Sequence, residues 1–289
     1  MAFSELLQGA IDLHVHASPD VVNRRQTAAE VAADAAAAGM AGVLIKEHCT
    51  STVGRAATLN ALHPNGPRIY SALALNPPVG GLNPVAVESF LRAGGRVVYA
   101  PTHGAANHIR RWGAGKPPTA FPLPPNFAGI SLCDSAGSLV PELDPILEMI
   151  AQADAVLATG HVSPEEGLAL LRRGKELGVK RLVVTHASES VTDMSLAQQR
   201  EAAALGALIE HCFFAVTPTS PGHLELSDIA AQAKELGVEH VILASDFGQV
   251  SNPPPVQGFG EYLEKMLAEG LSRAEIGVMV RDNPARLLN

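Results

Sequence analysis

Lys175-Glu176-Leu177-Gly178-Val179 runs into Leu182-Val183-Val184-Thr185-His186, and Lys234-Glu235-Leu236-Gly237-Val238 runs into Val241-Ile242-Leu243-Ala244-Ser245-Asp246. In both copies a helical pattern stops at glycine and an apolar run follows at once. A looser copy, Ala38-Gly39-Met40-Ala41-Gly42, precedes Val43–His48. Strands that are apolar on both faces belong to a parallel sheet covered by helices. Eight such units close into a (β/α)8 barrel. An open doubly wound sheet is the alternative, but no Gly-x-Gly-x-x-Gly follows the first strand to support nucleotide binding.

Outward from the repeat, the rhythm continues in both directions. Ile11–His16 is the first strand. Thr27–Ala38 is a helix with Thr27 and Glu30 at capping-box spacing. Strand Gly42–His48, helix Gly54–Leu62 and strand Ile69–Asn76 follow, and Asn83-Pro84 opens a helix with a cap and a first-turn proline. Strand Val97–Ala100 leads to His103. The stretch Gly104–Pro141, rich in Pro and Gly and holding the only tryptophan, Trp112, is too long for an ordinary connection. It reads as a functional loop or insert at the mouth of the barrel, with a short hairpin over Gly129–Leu139. Beyond it come helix Glu142–Ala153, strand Ala155–His161, a helix opened by Ser163, strand Leu182–His186 and a helix ending at Gly206. Strand Ala207–Phe214, helix Asp228–Leu236, strand Val241–Asp246 and helices near Glu261–Ala268 and Arg273–Val280 complete the pattern.

Composition bounds the function. At 289 residues and 47% hydrophobic residues, the chain suits one barrel of about 250 residues with an insert, residues 1–289 forming a single domain. A net charge of −8 without a basic run disfavours nucleic acid as a partner. Cys49, Cys133 and Cys212 form no Cys-x-x-Cys pair, so a disulfide framework is not expected and a reducing compartment fits. No apolar run approaches the roughly 18–20 residues of a membrane span, and no leader pattern stands at the N-terminus. The expectation is a cytoplasmic protein with a small-molecule substrate. Homo-oligomer formation stays open.

The chemistry-bearing residues collect at strand ends. His14 and His16, two apart, leave the same face of the first strand, with Leu13 and Val15 on the other. Of eleven histidines, six stand at or just past a strand end: His14, His16, His48, His103, His161 and His186. Asp246 ends the eighth strand. Barrel enzymes build their sites at this rim, and neutral imidazole is the commonest metal ligand. His63, His108, His211, His223 and His240 read as loop, surface or packing residues.

With these residues the chain resembles the amidohydrolase superfamily of metal-dependent hydrolases. The matching pieces are His14-x-His16, His161, His186, Asp246 in Ala244-Ser245-Asp246-Phe247-Gly248, and the closing Asn283-Pro284-Ala285-Arg286-Leu287-Leu288. The resemblance implies that His14, His16 and Asp246 hold one divalent ion, zinc first with manganese or iron as alternatives. His161 and His186 would serve a second ion or the substrate. It also implies that Asp246 takes a proton from metal-bound water. Binuclear members carry a bridging lysine or glutamate on the fourth strand, and Val97-Val98-Tyr99-Ala100-Pro101-Thr102-His103 has neither. Either the site is mononuclear, with His14, His16, His161 and Asp246 as ligands and His186 polarising water or substrate, or the bridge comes from Lys46 or Glu47. Analogy with the first strand favours Lys46 and His48 as the inward residues. Lys46 is thus a candidate catalytic, carbamylated or anion-binding group, with Glu47, His48 and His103 as further site residues. Arg110 and Arg111 read as a solvated loop face. The polymerase and histidinol phosphatase family is a second resemblance, but Gly248 stands where that pattern has histidine.

The leading expectation is a metal-dependent hydrolase of a small amide, lactone or ester. The alternatives are a phosphoesterase of the second resemblance, a decarboxylase on the same scaffold, and a metal-free binding protein.

Overall fold

The computed structural model describes residues 3–113, 123, 126–222 and 224–289. Its centre is one parallel sheet of eight strands in sequence order: β1 Ile11–Val15, β2 Gly42–Ile45, β3 Arg68–Ala74, β4 Val97–Tyr99, β5 Val156–Ala158, β6 Arg181–Val184, β7 Ala207–Cys212 and β8 Val241–Ala244. The first and last strands meet. Asp246 N–H donates to the His14 carbonyl, and His16 N–H to the Phe247 carbonyl, both at 2.8 Å. Ser245 N–H donates to Asp12 Oδ1 at 3.0 Å, and its hydroxyl to the His14 carbonyl at 3.2 Å. The sheet is therefore the barrel that the repeat predicts.

Helices α1 Ala28–Ala37, α2 Val53–Leu62, α3 Pro84–Arg92, α4 Ala106–Trp112, α5 Leu143–Gln152, α6 Pro164–Glu176, α7 Leu196–Ala204, α8 Leu226–Leu236 and α9 Pro255–Ala268 connect and cover the strands. Local chemistry sets their starts. Thr27 and Glu30 form the capping box expected from the sequence, and Ser163 and Glu166 form a second one at the helix that Ser163 opens. Asn83 accepts from the first-turn amides ahead of Pro84. Ile11, Leu13, Leu44, Ala72, Ala74, Tyr99, Ala158, Leu208 and Ile242 fill the barrel interior, and Val43, Ile45, Leu243 and Phe247 pack outward against the helices. This is the division of labour that made both strand faces apolar.

The C-terminal segment closes the floor. α10 Arg273–Gly277 passes through a π-helical turn, Val278–Asp282, into α11 Asn283–Leu288. Leu287 and Leu288 join the interior cluster, and the Asn283 amide donates to the carbonyls of Val238 and Val241 at 2.8 and 2.7 Å. Of the insert, 114–122 and 124–125 lie outside the described residues, so the expected lid is assigned only at its ends. The hairpin over Gly129–Leu139 reduces to a tight turn, with Asp134 N–H on the Ser138 carbonyl at 2.8 Å and a Cys133–Leu139 bridge. Among the described residues no helix is long and apolar enough to cross a membrane.

Candidate metal centre

β1 does not alternate simply. Its pairing with β2 slips between Asp12 and Val15, and Leu13 belongs to the interior cluster while Val15 packs outward. The two residues therefore do not share a face, contrary to the period-two expectation. A bulge re-aims side chains, and here both His14 and His16 still converge on Asp246. Their Nε2 atoms lie 3.3 and 3.0 Å from Asp246 Oδ1. Asp246 and His186 both take left-handed backbone, φ 52° in each case. That conformation costs a non-glycine residue on the order of 1–3 kcal/mol and clusters at functional sites.

Past β2 the side chains alternate. Lys46 turns in, its Nζ 3.0 Å from His14 Nε2 and 4.9 Å from the Tyr99 ring centre. His48 turns in and stacks between His16 and His103, with ring centres at 4.9 and 3.8 Å. Glu47 turns away, and Thr50 and Arg55 donate to it at 2.9 and 3.0 Å. Its candidacy as a bridging or site residue is thereby corrected: it is a paired structural carboxylate. The corner after β4 is held by Asn76, whose amide donates to the His48 carbonyl and the Thr102 hydroxyl and whose oxygen accepts from Thr102 N–H and Gly104 N–H. This hub sets His48 and His103 side by side.

Three residues escaped the sequence reading: Glu189, whose carboxylate lies 3.0 Å from His186 Nδ1, Glu210 and His108. Glu210 shares the inward parity of Leu208 and Cys212 on β7 and holds His14 Nδ1 at 3.2 Å from both oxygens. That contact leaves the other nitrogen of His14 facing Asp246. The alternation Leu208-Glu210-Cys212 was the available signal. His108, read as a packing residue, is buried on α4 with Nδ1 2.9 Å from His161 Nδ1. Its only sequence cue was the helical spacing of four to Trp112, whose ring centre lies 5.2 Å away. His211 does keep a packing role, pointing out of the barrel to the Ser188 hydroxyl at 3.3 Å. Arg111 pairs with Asp193 at 3.1 Å and Arg110 donates to Asn107 Oδ1 at 2.7 Å.

Three sets of potential ligand atoms result at the mouth, each mutually within 4.8 Å: His14, His16 and Asp246; His186, Glu189 and Asp246; and His103, His108 and His161. His14 and His186 also stand with Glu210 and Cys212. His161 thus groups with His103 and His108, not with the His14–His16–Asp246 set in which it was expected. Its ring centre is 5.1 Å from that of His186.

Electrostatics separates the histidines by role. Burial, reinforced by the Lys46 amine for His14 and by Arg24 for His16, pushes both well below the ordinary histidine range. Burial does the same to His48, His103 and His161, and takes His108 down to about 4. Neutral imidazoles result, the form that binds metal. Burial also lowers Lys46, against the pull of Asp246 and Glu210. For His186 burial works downward too, but the Glu189 carboxylate 3.0 Å from its Nδ1, with Asp246 and Glu210 behind, outweighs it and the net shift is upward.

These residues fit a divalent cation. The Nδ1 of His16 and the Nε2 atoms of His108 and His161 are buried without a hydrogen-bond partner among the described residues, and both Glu189 carboxylate oxygens lack hydrogen-bonding geometry. A cavity of about 310 Å³ opens here, lined by His16, Lys46, His48, His103, His161, His186, Glu189 and Asp246, with Val22, Arg24, Trp112, Phe214 and Val250 around them. A larger groove of about 830 Å³ beside α9 holds no histidine and lies away from this chemistry.

A family of unknown function, DUF6282, matches residues 9–210. The chain belongs to that family. The match takes in every site residue of this DUF6282 chain from His14 to Glu210 and stops short of Asp246. A comparison with curated protein sequences finds no match. Among solved structures, an amidohydrolase from Pseudomonas aeruginosa is 12% identical with a TM-score of 0.63, over 98% of this chain and 97% of that one. A probable dipeptidase from the same organism is 12% identical at a TM-score of 0.68, over 98% and 95%. An organophosphorus hydrolase from Deinococcus radiodurans is 14% identical at 0.60, over 100% and 96%. The DUF6282 chain therefore has the fold of the amidohydrolase-type barrels from end to end.

Gly248 separates it from the second resemblance. Its φ is +145°, in the range that favours glycine, and a side chain there would collide with the His16 carbonyl oxygen. The histidine of the polymerase and histidinol phosphatase pattern has no room at this position.

Proposed function

We propose that this protein is a metal-dependent hydrolase of a small amide, lactone or ester. The observation that carries the reading is the meeting of His14, His16 and Asp246 beside the cavity that His16 and Asp246 line, with the acceptor nitrogen of His14 set by Glu210. His14, His16 and Asp246 would hold the ion, zinc in the first instance. A divalent ion bound there supplies Lewis acidity and brings the pKa of a bound water to about 7.

The chain's own residues supply the rest. Asp246 accepts the proton of the attacking water at Oδ2, the oxygen 3.9 Å from His186 Nε2. His186, held by Glu189 toward its protonated form, donates to the substrate oxygen or the leaving group. That upward shift favours His186 as an acid over His186 as a ligand. Lys46 steadies negative charge that develops beside His14. Val22, Trp112, Phe214 and Val250 shelter the reacting carbonyl from water. Arg24, fixed by Asp20 at 2.6 Å, presents the remaining cation of the cavity to an acidic substituent.

Chelated and metal-reloaded protein should be screened on lactone, ester, amide and phosphoester panels. Turnover is expected only after reloading, and Asp246→Asn should reduce it by about 10²–10⁴-fold. Hydrolysis that survives chelation and Asp246→Asn would contradict the proposal.

A further inference from the structure

We propose that His103, His108 and His161 form a second divalent-cation site, separate from His14, His16 and Asp246 and containing no bridging lysine or carboxylate. The inference deepens the hydrolase reading and rests on it for its catalytic meaning. Its physical basis is independent. The three rings face one another, with centres 4.8 Å apart for His103–His108, 5.1 Å for His108–His161 and 5.6 Å for His103–His161. One nitrogen from each lies within 4.8 Å of the other two. His108 Nδ1 and His161 Nδ1 stand 2.9 Å apart in a hydrogen bond that a bound ion would replace. Zinc–nitrogen bonds of about 2.0–2.1 Å in a tetrahedron place ligand nitrogens about 3.3 Å apart, so the His108–His161 pair would open slightly and the third imidazole, already within 4.8 Å, would swing in to complete the shell.

Packing alone accounts poorly for this group. Buried polar atoms are nearly always hydrogen-bonded, yet His108 and His161 each keep a buried Nε2 with no hydrogen-bond partner among the described residues. An apolar side chain at 108 would fill the same space without that cost. The site is also braced. Asn107 on α4 donates to the carbonyls of His161 and Val191 at 3.0 and 2.7 Å, and Trp112 Nε1–H donates to the Ser190 hydroxyl at 2.9 Å. α4 is thereby tied to the ends of β5 and β6 before any ion binds. Three neutral imidazoles suit an ion of the zinc, copper, iron or nickel class and leave a fourth position for water or a substrate oxygen. The two clusters share no residue. His48 and His186 stand between them, their rings 4.9 Å from His16 and 4.7 Å from His14.

The test counts metal and needs no substrate. Wild-type protein loaded with zinc and desalted should carry about two equivalents per chain by plasma mass spectrometry. His108→Asn and His103→Asn should each lose about one and keep the ion that depends on His14, while His14→Asn should lose the other. Cobalt gives a second readout on the unaltered chain. The only tryptophan, Trp112, lies 5.2 Å from His108, so filling this site should quench its fluorescence, and His14→Asn should keep the quench. Full zinc content in both His108→Asn and His103→Asn would overturn the site, as would a wild-type chain that holds one ion, loses it with His14→Asn and shows no cobalt quench. Loss of zinc with His108→Asn but not with His14→Asn would instead sink the hydrolase reading and spare this one.

Discussion

Glu210 shows how one side chain tunes the centre without touching a substrate. It is buried beneath His14, and burial raises its pKa while His186 and Lys46 pull it back. A carboxylate behind a metal-ligating imidazole fixes ring orientation and raises basicity, and its removal costs about 10–100-fold in metal affinity. Glu210→Gln is expected to weaken zinc binding by that factor in a competition titration with a chromophoric chelator, with the ion count at saturation unchanged. Unaltered affinity would remove Glu210 from the centre. His14, His16, His161, His186 and Asp246 were legible because strand ends announce themselves in sequence. Glu210 was not, since a carboxylate inside an apolar strand carries no mark until its parity with Leu208 and Cys212 is followed. His108 was hidden further, because the helix that carries it lies within a stretch that read as loop.

The elements explain which residues after β2 reach the mouth. Lys46, Glu47 and His48 follow a strand that is apolar on both faces, so periodicity could not choose among them, and only the analogy with β1 pointed to Lys46 and His48. The structure turns these two inward and gives Glu47 to Arg55 and Thr50 in the layer outside. Glu47→Gln should therefore leave metal content unchanged. It should lower stability by about 1–3 kcal/mol, because the Arg55 guanidinium loses its charged partner, and a shifted denaturant midpoint would show it. A lost metal equivalent would return Glu47 to the site. At the opposite end, the closing helix was recognised from Asn283-Pro284-Ala285-Arg286-Leu287-Leu288. Its physical task, plugging the barrel floor with Leu287 and Leu288, needed the structure.

At the scale of the whole molecule, the barrel keeps a set of uncharged histidines under one rim, and acid should act on all of them together. His108, and His211 behind the sheet, are driven from the ordinary histidine value of 6.5 down to about 4 by burial. Below pH about 6.5 the unfolded chain protonates them while the folded chain does not until about 4, so the unfolded state binds more protons and stability falls as pH drops. Each such histidine contributes about 1.4 kcal/mol per pH unit across that window. His186 has the opposite sign, its folded value being raised, and its contribution is lost as pH rises through that value. The lowered group is the larger, so thermal unfolding followed from pH 7 to about 4 should show a steep net loss of stability, and a flat profile would mean that the rings are solvated. The barrel itself was legible in the repeat of glycine-terminated helix and apolar strand, whereas the gathering of histidines into two clusters depends on a bulge in β1 and on α4, which no periodicity foretells. The central claim is that His14, His16 and Asp246 hold a divalent ion beside the cavity that His16 and Asp246 line. Anomalous diffraction from zinc-soaked crystals, recorded on either side of the zinc absorption edge, tests it most directly. A difference peak bonded to His14, His16 and Asp246 at about 2.0–2.2 Å is the predicted result, and an empty difference map among those three side chains would contradict it.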